Sequence, residues 1–166
     1  ADGTYETTGG ETIPAKGAKL TLVAQKSTAE ANNKTLTVNL QGEEVTVTVV
    51  HGTADPGEEV AISGDGKSAT ITVAEDTAAD VMGGYIRAAL EGIISANDEL
   101  ADNYTIGGSD ENVEITSVAT GADQFISAED ASNAVVTGSG TAQGTDVDYT
   151  ASTATLSFGA VSDVDA

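Results

Sequence analysis

Thr35-Leu36-Thr37-Val38-Asn39-Leu40-Gln41-Gly42-Glu43-Glu44-Val45-Thr46-Val47-Thr48-Val49-Val50 is the stretch that decides how this chain folds. Apolar residues recur at every second position on both sides of Gln41-Gly42-Glu43-Glu44, and many of the side chains are β-branched. Two half-buried strands joined as a hairpin follow from that pattern. Lys19-Leu20-Thr21-Leu22-Val23-Ala24 repeats the alternation upstream. Downstream, Val60-Ala61-Ile62-Ser63 and Ala69-Thr70-Ile71-Thr72-Val73 flank Gly64-Asp65-Gly66-Lys67, a glycine-bearing turn suited to a second hairpin.

The period then changes from two to about 3.6. Thr77-Ala78-Ala79-Asp80 resembles a capping box, in which a threonine hydroxyl accepts an early backbone N–H and an aspartate favours the positive end of the helix. Val81, Tyr85, Ala89 and Ile93, with Met82, Ile86, Leu90 and Ile94 beside them, form a broad apolar stripe. An amphipathic helix over about 77–95, packed across a sheet, is expected.

Beyond it, Tyr104-Thr105-Ile106, Val113 to Val118 and Gln124 to Ser127 are shorter strand candidates, and Ala134 to Thr137, Val147 to Tyr149 and Thr155 to Phe158 are further ones. Gly138 to Gly144 reads as a flexible loop without the spacing of a dinucleotide fingerprint. The expectation is a mainly β, α+β chain: an antiparallel sheet or sandwich carrying one helix. Residues 1–18 are expected as an N-terminal arm or edge strand, 19–158 as a single β-rich domain and 159–166 as a frayed tail. The chain opens at Ala1, which reads as a processed product or an excised segment.

Composition narrows the functional classes. The 166 residues include 27 acidic against 6 basic side chains, a net charge of -21, and no cysteine. All the basic residues lie within the first 87 positions, and the last 79 hold 14 acids. Such a field repels phosphate, so nucleic acid is not an expected partner, and no apolar run is long enough for membrane insertion by a helix. The acids are spread along turns and polar faces, as in a solvated shell on a folded domain, and they also suit a salty medium.

The chemical motifs are sparse. Gly66-Lys67-Ser68 ends like a phosphate-binding loop, but that pattern needs glycine where this chain has Ala61, and it must join a strand to a helix. His51 is the only histidine, hence the one side chain whose ordinary pKa suits acid–base work near neutrality. It ends a strand in the parity of Val45, Val47 and Val49, and packing over the sheet edge is expected. Calcium is the one plausible cofactor, because hard cations take carboxylate and carbonyl oxygens. Asp146 with Asp148, Asp163 with Asp165, the turn holding Asp110, Glu111 and Glu114, and the Asp55 to Glu59 turn are local candidates. They lack EF-hand spacing, so solvated turn carboxylates are the preferred reading. Asn33-Lys34-Thr35 and Asn103-Tyr104-Thr105 fit the glycosylation sequon, but seven asparagines in a Ser/Thr-rich chain supply one or two such matches by accident, and alone they support nothing.

The run from Lys19 through Asn32-Asn33 to Val38, the strand Ala69 to Val73, the helix opened by Thr77-Ala78-Ala79-Asp80-Val81, and Val113-Glu114-Ile115-Thr116-Ser117-Val118-Ala119-Thr120-Gly121 together resemble a module of bacterial flagellins and hook-associated proteins and of phage tail or capsid-decorating proteins. The resemblance covers roughly residues 19 to 128 and carries over no catalytic residue. It implies a non-enzymatic structural protein, extracellular or in a virion, whose partners are copies of itself or other subunits of a filament or particle. The long heptad helices with which flagellins polymerise are not in this sequence, so a flagellin-like chain would be an outer domain. The flanks Ala1 to Pro14 and Thr145 to Phe158 are the expected intersubunit contacts, by strand addition. The alternative is a calcium-dependent adhesin or surface-layer module.

Overall fold

The computed structural model describes residues 5–7, 9–149 and 154–156. Along the chain, the strands are β1 (Tyr5–Thr7), β2 (Thr12–Ile13), β3 (Lys19–Ala24), β4 (Lys34–Leu40), β5 (Glu43–His51), β6 (Val60–Ile62), β7 (Ser68–Val73), β8 (Tyr104–Gly107), β9 (Asn112–Ser117), β10 (Phe125–Glu129), β11 (Val136–Thr137), β12 (Gly140–Gln143), β13 (Asp148–Tyr149) and β14 (Ala154–Leu156). The helix α1 (Ala79–Ala96) lies between β7 and β8, and a 3-10 turn covers Ala29–Ala31.

The alternating stretch forms its hairpin with Leu36 opposite Val47 and Val38 opposite Val45. Gln41 and Gly42 turn the chain at φ 54° and 95°. Two successive positive φ angles belong to the mirror-image turns whose twist matches that of the flanking strands. β4 and β5 form the centre of a six-stranded sheet ordered β12-β10-β4-β5-β7-β6, which faces a four-stranded sheet ordered β11-β3-β9-β8. Neighbouring strands run antiparallel except β5 and β7, which are parallel because β7 inserts between β5 and β6.

The alternation sends one face of each strand inward. Leu36, Val38, Leu40, Val45, Val47, Val49 and Ile71 of the larger sheet are buried against Leu22, Val113 and Ile115 of the smaller one. Burying such a side chain contributes about 1.5–3 kcal/mol, so this shared layer holds the two sheets together. Where β10 lies, the sheets meet directly, as it touches β3 and β9. On the other side α1 touches β5, β6 and β7 of one sheet and β3, β8 and β9 of the other, burying Met82, Ile86, Ala89, Leu90, Ile93 and Ile94. Val81 and Tyr85 sit at the margin of the expected stripe, Val81 being 44% exposed. No helix among the described residues is long and apolar enough to cross a membrane.

Two expectations are corrected. Thr77 does not cap α1, whose N-cap is Ala78 without a side-chain bond. Instead the Thr77 hydroxyl donates to the Ala74 carbonyl at 2.7 Å, while its backbone bridges to Ser27. Within the Gly138 to Gly144 stretch, read as a loop, Gly140–Gln143 forms β12, the edge strand beside β10. It lacks an apolar alternation because it closes the sheet at an open margin. The flanks pair with one another, as described next. The expected tail 159–166 and Phe158 lie outside the described residues.

Candidate functional site

The two flanks of the sandwich come together. Lys16 and Thr145 exchange backbone hydrogen bonds, both at 2.9 Å. Further out, Ile13 of β2 faces Asp148 of β13, and Thr12 faces Tyr149. Beyond them, Tyr5, Glu6 and Thr7 of β1 face Leu156, Thr155 and Ala154 of β14. An antiparallel ribbon thus leaves the sandwich, and among the described residues no third strand joins either pair.

Its root is tightly built. A side chain on Gly144 would collide with the carbonyls of Gly121 and Lys16, so only glycine lets the two chains pass. The Asp146 carboxylate accepts the Ala122 N–H at 2.8 Å, and the Gln143 amide donates to the Ala122 carbonyl. The ribbon itself is open. Ile13 and Val147 are 44% and 42% exposed and Tyr149 is 73% exposed. A lone two-stranded ribbon is marginal in water, and its unpaired backbone edges are templates for a further strand.

The structure disperses the other candidate residues. Glu114 forms an ion pair with Lys19 at 3.1 Å, across β9 and β3. Asp110 occupies a turn at φ 53°, and its carbonyl, with that of Asn112, accepts from the Arg87 guanidinium at 2.9 and 2.6 Å. The Glu111 carbonyl accepts the Ala24 N–H, and Asp148 is exposed on β13. Among the described residues no three side chains of the metal-ligating types gather in one place. Asp163 and Asp165 lie outside the described residues. Gly66-Lys67-Ser68 sits at the β6–β7 hairpin, where the Asp65 carboxylate accepts the Ser63 hydroxyl at 2.5 Å and the Lys67 N–H at 3.0 Å. Those two bonds hold the Asp65 carboxyl below the usual carboxylate range.

His51 acquires a partner that no local motif announced. Its Nε2 lies 2.9 Å from the Ser27 hydroxyl, within the distance of a nucleophile and its base. Ser27, however, has no exposed surface, so no substrate reaches its oxygen. Its backbone N–H donates to Thr77 and its carbonyl accepts from Asp76, while the His51 N–H donates to the Asn32 side chain at 2.9 Å. The group therefore acts as a clasp joining the end of β5 to the start of α1.

Asp130 is the second group that sequence reasoning passed over. It is 3% exposed, and its carboxylate accepts Ser132 N–H, Ser132 Oγ–H, Val135 N–H and Val136 N–H. Burial would raise its pKa, but these four bonds outweigh it and hold the carboxyl below its ordinary value. The only signal was the Asp130-Ala131-Ser132-Asn133 run, a composition typical of side-chain-closed turns.

No family model, curated protein or solved structure matches this chain. The functional reading accordingly rests on the geometry and on the residue pattern.

Proposed function

We propose that the chain is a non-enzymatic structural module, a surface-exposed β-rich subunit or domain of a self-assembling extracellular filament or phage virion. One observation carries the reading: the flanks form an open ribbon with Ile13, Val147 and Tyr149 exposed, the backbone and apolar surface that strand addition by a neighbouring subunit would use. The partner is another copy or another subunit of the particle. Exposed carboxylates on the sandwich keep such an assembly soluble. The resemblance to flagellin-type and phage tail or decoration modules agrees with this role, and so does the burial of Ser27, which leaves His51 without an accessible nucleophile beside it.

Negative-stain electron microscopy at low and high salt tests the proposal. Ordered fibres, tubes or rings are expected at high salt, and deletion of residues 1–14 should abolish them while circular dichroism still reports the folded sandwich. Dispersed particles at both salts would overturn self-assembly and leave a displayed domain or decoration that needs its parent particle, and assembly untouched by the deletion would overturn the ribbon as the contact.

A further inference from the structure

The two sequons occupy opposite ends of the sandwich. Asn33 immediately precedes β4, a strand of 7 residues that spans about 23 Å. At the far end of β4, the Gln41 side chain donates to the Asp123 carbonyl at 2.7 Å and accepts from Phe125 N–H at 3.0 Å, beside Gly121 and the ribbon root. Asn103 lies at this ribbon end, lining a cleft with Gln41, Glu43 and Gln124.

The two amides also differ in freedom. The Asn103 side-chain nitrogen, the atom a glycan would occupy, already donates to the Glu99 carbonyl at 2.6 Å. Asn33 is exposed in a turn at φ 60°, and its side chain makes no hydrogen bond to any described residue. The inward role at this turn falls to Asn32, which holds the His51 N–H. Beside Asn33 opens a surface cleft of about 370 Å³ lined by Lys34, Thr35, Asp130, Ala131 and Ser132. The hydroxyl of Thr35, which completes the sequon, is exposed and bonded to that of Thr48 at 2.8 Å.

We infer that Asn33 is an N-glycosylation site, occupied while Asn103 is not, and that its glycan projects from the end of the sandwich opposite the ribbon. In the transfer, Asn33 Nδ2 bonds to the anomeric carbon of an isoprenoid-diphosphate-linked oligosaccharide. The bond from that carbon to the diphosphate oxygen breaks, the isoprenoid diphosphate leaves with the electron pair, and the amide proton passes to a base of the transferase. The inference rests on the extracellular reading above, but a glycan at this pole leaves the ribbon free, and occupancy is read by mass whether or not particles form.

The test is intact-mass and glycopeptide mass spectrometry of the full chain secreted by an N-glycosylating host, read on molecules whose appended reference sequon is occupied. A glycan mass on the Asn33 peptide is expected in the parent and in Asn103→Gln, and is lost in Asn33→Gln and in Thr35→Val. A bare Asn33, or modification confined to Asn103, would overturn the inference.

Discussion

Asp130 Oδ2 lies 2.8 Å from the backbone nitrogen of Val135, inside the protein and with no cation paired to it among the described residues. Four donors replace the water this carboxylate loses. Its native pKa falls below the ordinary 3.8, so the stabilisation it contributes is fully present above that value and is lost as pH falls through the native one. Asp130→Asn should cost about 3 kcal/mol at neutral pH, because an amide turns N–H groups toward N–H donors. Denaturant titrations at neutral pH and at about pH 3 check this: the gap between parent and variant should shrink in acid. Equal stability at neutral pH would contradict the account.

Gly83 and Gly84 make a matched pair on α1. A side chain on Gly83 would run into the Asp110 carbonyl, in the loop that Arg87 clamps. At Gly84 a methyl group would meet only the Arg87 guanidinium at 3.9 Å. Gly83→Ala should therefore destabilise by about 2 kcal/mol despite alanine's helix preference, whereas Gly84→Ala should stabilise by about 0.5–1 kcal/mol. Thermal melts of the two variants give the sign directly.

The Ser27–His51 clasp makes a different claim. Ser27→Ala and His51→Ala should each destabilise by about 1–2 kcal/mol, and the double variant by less than their sum, with a coupling of about 0.5–1.5 kcal/mol. Hydrolysis of an activated ester should stay at the uncatalysed rate in the parent and in every variant. Parent activity abolished by Ser27→Ala would make the pair a catalytic dyad.

Net charge sets a further expectation. With 27 acids against 6 basic residues, raising sodium chloride from about 0.1 M to about 1 M, which shortens the Debye length from about 10 Å to about 3 Å, should raise Tm. Calcium at matched ionic strength should add nothing of its own. A calcium-specific rise in Tm would favour the adhesin alternative and point to the turns around Asp110, Glu111 and Glu114 or around Asp146.

Tyr149→Lys and Val147→Lys test the ribbon without removing it. Both side chains are exposed, so the stability of the sandwich should change by less than about 0.5 kcal/mol. Particle formation seen by electron microscopy should nonetheless be lost, because the substituted charge would be buried in the subunit contact. Retained assembly would move the interface elsewhere.

Which parts of this fold are legible along the chain follows from the range of the interactions involved. The hairpin through Gln41-Gly42 and the hairpin at Gly64 to Lys67 were readable because period-two burial and turn chemistry are local properties. The helix expected over about 77–95 spans Ala79–Ala96, since a 3.6-residue stripe is local as well. Its cap was misplaced because Thr77 is taken by a bridge to Ser27, 50 positions away. β12 went unseen because Gly140 to Gln143 carries no alternation, and only its neighbour β10 makes it a strand.

By itself, then, the sequence determined the mainly β class, the position of the helix, the inward face of each central strand and the acidic surface, all of which follow from side-chain period and composition. Tertiary structure alone decided that β7 enters parallel to β5, that the flanks pair into a ribbon, that Ser27 meets His51, and that Asp130 is buried among four donors. Each of these relationships depends on contacts between residues or elements separated in the chain, or on the burial those contacts impose. Its free energy comes from pairing and desolvation in the assembled fold, which local propensity does not encode.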